Sequence, residues 1–357
     1  MLTVQTKDHS YNIQIKRQSL STIGDFLTEI WQPKQVAIIT DTRVGELYAE
    51  TVFTSLQNAG FTPTVLTVPE GEESKSFTQA MKLYEKLAQA NFTRSDAVLA
   101  LGGGVIGDLA GFVASTYMRG IGFSQVPTSL LAQVDSSIGG KTAVNTPTAK
   151  NLVGSFYQPD AVLIDPDVLD TLEPRRLREG IAEIVKAAAI ADANLWEELT
   201  QYQDEFDLLN HVESVILKAL KVKQAVVEED EFDNGIRLIL NFGHTIGHAI
   251  EKNAGYGKIS HGEAVSLGMV WMSKAASEHE LMSASHLAPL RALLEKFHLP
   301  TTIPNDLERT HLFDAITKDK KARGHTLQII VLEEIGKARI ETIPVNMMEE
   351  FLQTEGI

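Results

Sequence analysis

The 357-residue chain contains no cysteine. Disulfides, thiolate nucleophiles, cysteine-ligated zinc and iron–sulfur clusters are therefore excluded. It also lacks a basic surplus: 32 Lys and Arg against 47 Asp and Glu leave a formal charge of −15. Nucleic acid or an anionic membrane surface calls for a positive field, so neither is an expected partner. A local basic pocket for a small anion is still compatible with that balance. No apolar run approaches the roughly 18 residues that a membrane helix needs. The N-terminus, Met1-Leu-Thr-Val-Gln-Thr-Lys-Asp-His9, alternates apolar and polar residues and reads as a strand, not a signal peptide. A soluble cytoplasmic protein is the expectation, and the length allows two domains with large cores.

The first half alternates strand and helix signals. Leu2–Thr6 and Tyr11–Ile15 read as a hairpin. Val36–Thr40, Thr64–Val68, Ala97–Leu101 and Val162–Asp165 are short runs of buried-strand character, with helical patterns over Gly45–Ala59 and Phe77–Ala90. Repeated β-α-β units predict a parallel sheet covered by helices. Beyond Pro174 the pattern turns helical, over Arg175–Ala191, Asn194–Thr200, Val212–Val227, Arg237–Asn253, Gly262–Glu278 and His286–Phe297. Two strand-like pieces, Thr326–Leu332 and Ala338–Ile343, close the chain. The change of character places the domain boundary near residues 166–174.

Three of the ten histidines fall within Asn241-Phe-Gly-His-Thr-Ile-Gly-His-Ala-Ile-Glu251 and His261-Gly-Glu263. His244 and His248 are four apart and share a helix face; the Gly-containing break Asn253–Gly257 lets the chain bring His261 back to them. Neutral imidazole is a common zinc ligand, so three imidazoles on one metal is one reading. Polar surface histidines are the other.

Leu101-Gly-Gly-Gly-Val-Ile-Gly-Asp108 follows a strand and opens a helix, where backbone amides can approach an anion. Gly102, Gly104 and Gly107 match G-x-G-x-x-G, but Pro127-Thr-Ser129 occupies the place of the usual downstream acidic residue. This is not a standard dinucleotide fingerprint, and a structural turn is an open alternative. Val134–Thr142 is dense in polar groups, and Lys141, Lys150 and Asn151 could meet one phosphate together. Gly139-Gly-Lys-Thr142 looks like the tail of a P-loop, yet Asp135 stands where the first glycine is required, which excludes that motif. Glu183 and Lys186, three apart on a helix with small apolar neighbours, form either a partly buried functional pair or a surface ion pair.

Taken together, these segments resemble the 3-dehydroquinate synthase family. The resemblance runs through Gly102–Asp108, Phe112–Gly120, Gln125–Ser129, Val134–Thr142, Gly180–Ile190, Arg237–Glu251, His261–Val265 and Asp319–Lys321, in family order. It implies an α/β NAD-binding domain with a parallel sheet over 1–168 and a mainly α-helical, metal- and substrate-binding domain over 169–357, with the active site between them. It implies a metal, zinc or alternatively cobalt, on Glu183, His244 and His261, which replaces the three-imidazole reading. NAD would be met by Asp41, Glu72, Lys75, Gly103, Gly104, Val105, Ile106, Gly107, Asp108, Thr128, Ser129, Lys141, Lys150 and Thr171.

The implied substrate is the sugar phosphate 3-deoxy-D-arabino-heptulosonate 7-phosphate. Arg119, Asp135, Lys141, Asn151, Lys223, Arg237, Asn241 and His248 would meet it, together with one of Lys320 and Lys321. Catalytic roles fall to Lys186, Arg237, Asn241 and His248. Arg119 would serve the neighbouring subunit of a homodimer. The implied chemistry is transient oxidation by NAD, phosphate elimination, re-reduction, ring opening and aldol closure, a net lyase reaction giving 3-dehydroquinate in the shikimate pathway. Other sugar-phosphate cyclases and a metal- and NAD-dependent polyol dehydrogenase are the alternatives. Arg237, Asn241 and His248 favour the dehydroquinate branch, and the Lys141–Asn151 run argues against the polyol enzyme.

Overall fold

Leu2–Gln5 (β1) and Ser10–Ile15 (β2) pair antiparallel, with Leu2 opposite Ile13. The short apolar runs that follow become Gln35–Asp41 (β3), Thr62–Val68 (β4) and Ala97–Gly102 (β5). Gly122–Pro127 (β6), the hairpin strands Lys141–Val144 (β7) and Val153–Phe156 (β8), and Ala161–Ile164 (β9) complete the set. The main sheet has the order β1-β2-β9-β6-β5-β3-β4, parallel throughout except for β1. Strands buried on both faces explain the near-continuous apolar runs. Val36 and Ile38 pack with Leu27, Val52 and Leu56 of helices Ile23–Thr28 (α1) and Thr42–Asn58 (α2). Ala37 and Ile39 point the other way, to Leu83, Leu109 and Val113 of Phe77–Gln89 (α3) and Gly104–Thr116 (α4).

The computed structural model describes residues 1–255, 258–304, 307, 312–313, 315–316 and 325–354. It divides into two units, Met1–Leu172 and Glu173–Ile357. The first unit extends past residue 168 because the turn Pro166–Thr171 stays packed on it, with Val168 in its core. The strand order reverses between β3 and β5, whose carboxyl ends are Asp41 and Gly102. In open α/β sheets that is where a ligand crevice forms.

Glu173–Ile357 contains Pro174–Ala191 (α5), Ala193–Gln201 (α6), Glu205–Asn210 (α7) and Val212–Glu229 (α8). His244–Ala254 (α9), His261–Glu278 (α10), Leu287–Lys296 (α11), the hairpin Thr326–Glu334 (β10) with Lys337–Pro344 (β11), and Met348–Phe351 (α12) follow. The single helix expected over Arg237–Asn253 is two pieces. A 3-10 turn, Ile236–Asn241, ends at Phe242, and α9 starts only after Gly243 at φ +79°. A Cβ at Gly243 would lie 2.7 Å from the Val265 carbonyl oxygen, so this turn depends on glycine for both conformation and space. Among the described residues no helix is long and apolar enough to cross a membrane.

Candidate metal centre and glycine loop

Three helices bring the cluster in Glu173–Ile357 together. Glu183 lies mid-way along α5, whose face is small and apolar, so its side chain is only 1% exposed. His244 is the first residue of α9 and His261 the first of α10. Their convergence depends on close backbone approach. A Cβ on Gly268 of α10 would sit 2.0 Å from the Gly243 carbonyl oxygen, and one on Gly262 would sit 2.4 Å from the Glu179 Cα, one turn before Glu183. A capping box between Ser260 and Glu263 fixes the start of α10.

Glu183 Oε1 lies 3.6 Å from His244 Nε2 and 3.5 Å from His261 Nε2. Lys186 Nζ pairs with Glu183 Oε2, and at 4% exposure this is a buried pair, not the surface pair that its spacing also allowed. Neither Glu183 oxygen accepts a hydrogen bond of regular geometry. The Nδ1 atoms of both imidazoles are turned away: His244 Nδ1 lies 3.2 Å from the Phe242 carbonyl oxygen, and His261 Nδ1 lies 3.3 Å from Glu251 Oε2.

Burial drives the His244 imidazole down to about 3, assisted by Lys186. Burial also opposes charge on His261, but the nearby carboxylates of Glu183 and Glu251 outweigh it and raise that ring to about 10. Burial likewise opposes charge on Glu183, but Lys186 and His244 hold its carboxyl well below the usual range. The cluster thus gathers one carboxylate and two imidazoles beside the buried Lys186 ammonium. A divalent cation fits this donor set. Its ligand atoms lie within 4.8 Å of one another, and a tetrahedral ion with bonds of about 2.0–2.1 Å spans donor–donor edges of about 3.4 Å.

His248 stands one turn along α9, exposed, with its ring centre 5.4 Å from that of His244 and 6.1 Å from that of His261. It faces the cluster without entering the Glu183 group. Glu251, next on this face, completes a second grouping with His248 and His261. The spacing of Glu251, three from His248 and seven from His244, places it on their face. Arg237, buried, and Asn241 lie on the 3-10 turn that packs against α5 and α8, the helices of Lys186 and the buried Lys223. Lys320 and Lys321 lie outside the described residues.

In Met1–Leu172, Gly102 ends β5 and Gly103 occupies the N-cap of α4 with no side-chain cap, which leaves amides open for an anion. Added Cβ atoms would meet Ser129 Oγ at 3.3 Å from Gly103, Ser136 Oγ at 3.0 Å from Gly104 and Gln125 Oε1 at 2.8 Å from Gly107. The Ile106 side chain belongs to the core, so only its backbone is available, while Val105 is half-buried. Asp41, at the end of β3, accepts from Val44 N–H at 2.9 Å and caps α2. Buried Lys75 pairs with Asp108; Glu72 accepts from Asn145 Nδ2 at 2.7 Å. Thr128 N–H donates to the Gly102 carbonyl at 3.0 Å, tying the end of β6 to the loop. Thr171 Oγ1 contacts the Tyr48 hydroxyl at 2.7 Å. Asp135, half-buried, lies in the π-helical turn Ala132–Ser136.

Lys141 opens β7 opposite Phe156, and Lys150 and Asn151 lie in the connection from β7 to β8. Asn151 N–H donates to Asn145 Oδ1, and Asn145 Nδ2 donates to Glu72. Gly139 and Gly140 open a strand, not a helix, so the P-loop-like tail lacks a helix N-terminus. Arg119 is exposed at φ +70°, directly after Met118 at φ +52°.

Family models described as 3-dehydroquinate synthase N-terminal and 3-dehydroquinate synthase C-terminal match residues 65–179 and 180–322. The chain belongs to the 3-dehydroquinate synthase family. A 3-dehydroquinate synthase of Enterococcus faecalis (strain ATCC 47077 / OG1RF) is 57% identical over 355 residues, 99% of each chain. Among solved structures, 2-deoxy-scyllo-inosose synthase with carbaglucose-6-phosphate, NAD+ and Co2+ matches with a TM-score of 0.90 at 28% identity, covering 100% of this chain and 99% of that one. The 2-epi-5-epi-valiolone synthase of Streptomyces hygroscopicus subsp. jinggangensis 5008, with NAD+ and Zn2+ bound, matches with a TM-score of 0.87 at 25% identity, covering 99% and 98%.

Proposed function

We propose that the protein converts 3-deoxy-D-arabino-heptulosonate 7-phosphate to 3-dehydroquinate and phosphate, as a cytoplasmic lyase of the shikimate pathway. The observation that carries this reading is the meeting of Glu183, His244 and His261 from three helices, in a chain 57% identical to a 3-dehydroquinate synthase over 99% of its length. NAD at the glycine loop would supply a hydride acceptor that is regenerated, and zinc or cobalt on Glu183, His244 and His261 a Lewis acid for a substrate hydroxyl.

The chain's own residues divide the remaining work. The open amides at Gly103 and Gly104 receive the cofactor's pyrophosphate, and Asp41, Glu72, Lys75, Asp108, Thr128, Ser129 and Thr171 surround that end of the sheet. Lys186, held against Glu183, offers a buried cation to a substrate oxygen, and Arg237, Asn241 and Lys223 orient the substrate. His248, exposed on the open side of the cluster, is placed to move a proton. Lys141, Lys150, Asn151 and Arg119 supply polar and cationic groups to phosphate. The first unit is thereby the NAD-binding part and the second the metal- and substrate-binding part.

With the heptulosonate phosphate, zinc and NAD at a small fraction of the substrate, phosphate release should match carbocycle formation and no NADH should accumulate. Gly104→Val, which crowds Ser136 Oγ, should raise the NAD requirement at least tenfold. NADH building up one for one without phosphate release would overturn the reading in favour of a polyol dehydrogenase.

A homodimer belongs to the proposal. Two successive non-glycine residues with positive φ, Met118 and Arg119, hold an arginine exposed on the surface of its own unit. Inactive Arg119→Ala chains mixed with inactive His248→Ala chains should regain part of the activity after subunit exchange. Exchange without recovery would show that Arg119 serves no neighbouring site.

A further inference from the structure

We propose that Glu251 is a positioning residue for the metal ligand His261, holding its Nδ1–H so that Nε2 is aimed at Glu183. The inference rests on the metal reading above. Coordination through Nε2 requires that nitrogen to carry a lone pair and to face the ion, so the proton must sit on Nδ1 and the ring must be kept from flipping. The two imidazoles meet this requirement by different means. His244 has its Nδ1 beside the main-chain carbonyl of Phe242. His261 is the first residue of α10 and has no such carbonyl contact among those seen; its Nδ1 lies 3.3 Å from Glu251 Oε2 on the neighbouring helix α9. Both rings then present Nε2 at nearly equal distances, 3.6 and 3.5 Å, to the same Glu183 oxygen.

Helix packing makes this reach possible. Gly247 sits against the Ala264 carbonyl, where an added Cβ would be only 3.0 Å away, so α9 and α10 run close enough for Glu251 to span the gap. The Glu251 side chain is 16% exposed, so its contact with the imidazole is largely sheltered from water. The alternative is that Glu251 binds an ion directly, with His248 and His261 as co-ligands. The geometry favours positioning, because Glu251 touches the nitrogen of His261 that faces away from Glu183. A carboxylate there also makes the imidazole a stronger donor than a neutral acceptor would.

Zinc affinity measured by chelator competition tests the idea. Glu251→Ala should bind zinc about 10–100-fold more weakly than the parent, and Glu251→Gln, which keeps an acceptor for Nδ1–H without the charge, about 2–10-fold more weakly. Cobalt-loaded Glu251→Ala should also show an altered ligand-field spectrum, which loss of fold stability alone would not produce. Zinc affinity within twofold of the parent in both variants overturns the inference. So does complete loss of metal in both, which would make Glu251 a ligand. If the Ala protein does not fold, an unchanged affinity in the Gln protein overturns it alone. A parent that binds no zinc, or binds it equally well as His244→Ala, sinks the metal reading itself and is distinct from all of these outcomes.

Discussion

His244→Ala will retain less than a tenth of an equivalent of zinc per chain, and its turnover will fall by at least about a thousandfold, the loss of several kcal/mol of Lewis-acid stabilisation. The reason lies in how little else the cluster can recruit. Glu183 is buried on a small apolar face, its oxygens lack regular hydrogen bonds, and its ion-pair partner Lys186 is itself a cation that cannot replace a ligand. Removing one imidazole leaves two donors, too few to hold zinc against water. His248→Ala should behave differently. Its ring stands 5.4 Å from His244, centre to centre, outside the Glu183 group, so the metal content should stay at one per chain while turnover drops about 10²–10⁴-fold.

Melting provides a second readout. Zinc should raise the melting temperature of the parent and of His248→Ala, because binding to the folded state alone stabilises it, and should leave His244→Ala unmoved. Full zinc stoichiometry in His244→Ala, or loss of metal in His248→Ala, would reverse the two assignments.

How far this site can be read in the sequence depends on what each residue leaves behind in pattern. Buried parallel strands leave apolar runs, so Val36–Thr40 and Ala97–Leu101 are legible. β6 is not, because it carries Ser124 and Gln125, buried polar residues whose side chains donate to the Ala161 and Ser137 carbonyls. α7 is hidden for another reason: it is a short helix started by the Asp204 cap, without enough length for a period to show.

In the cluster, helical spacing puts His244 and His248 on one face but cannot say which is buried. That is decided by α10, which covers the first turn of α9. Nothing in the spacing points to Glu183, 61 positions before His244; only the family resemblance names it. The short hairpin of β7 and β8, which carries Lys141 and whose connection holds Lys150 and Asn151, leaves too brief a pattern to be legible. The spacing of Glu251 is legible, but only the approach of α10 gives it a task.

The α9–α10 contact is also where the metal centre should be most easily broken without touching a ligand. Gly268→Ala will lower stability by about 1–3 kcal/mol and weaken zinc binding by about tenfold or more. The added methyl would lie 2.0 Å from the Gly243 carbonyl oxygen and 3.0 Å from the Gly247 nitrogen. Those atoms are backbone, so no rotamer change relieves the clash and the helices must part. Gly243 cannot yield easily, because its φ of +79° sets the turn that starts α9, and a Cβ there would itself strike Val265. Parting the helices moves His244, on α9, away from His261, on α10, whose Nε2 atoms must each hold position to within about half an ångström to share one ion. Gly235→Ala is the control: its nearest neighbour would be Asp230 Oδ2 at 3.7 Å, and it lies on neither α9 nor α10, so zinc affinity should be unchanged. If Gly268→Ala binds zinc as tightly as the control, backbone approach between the helices does not set the ligand geometry, and the packing argument for this centre fails.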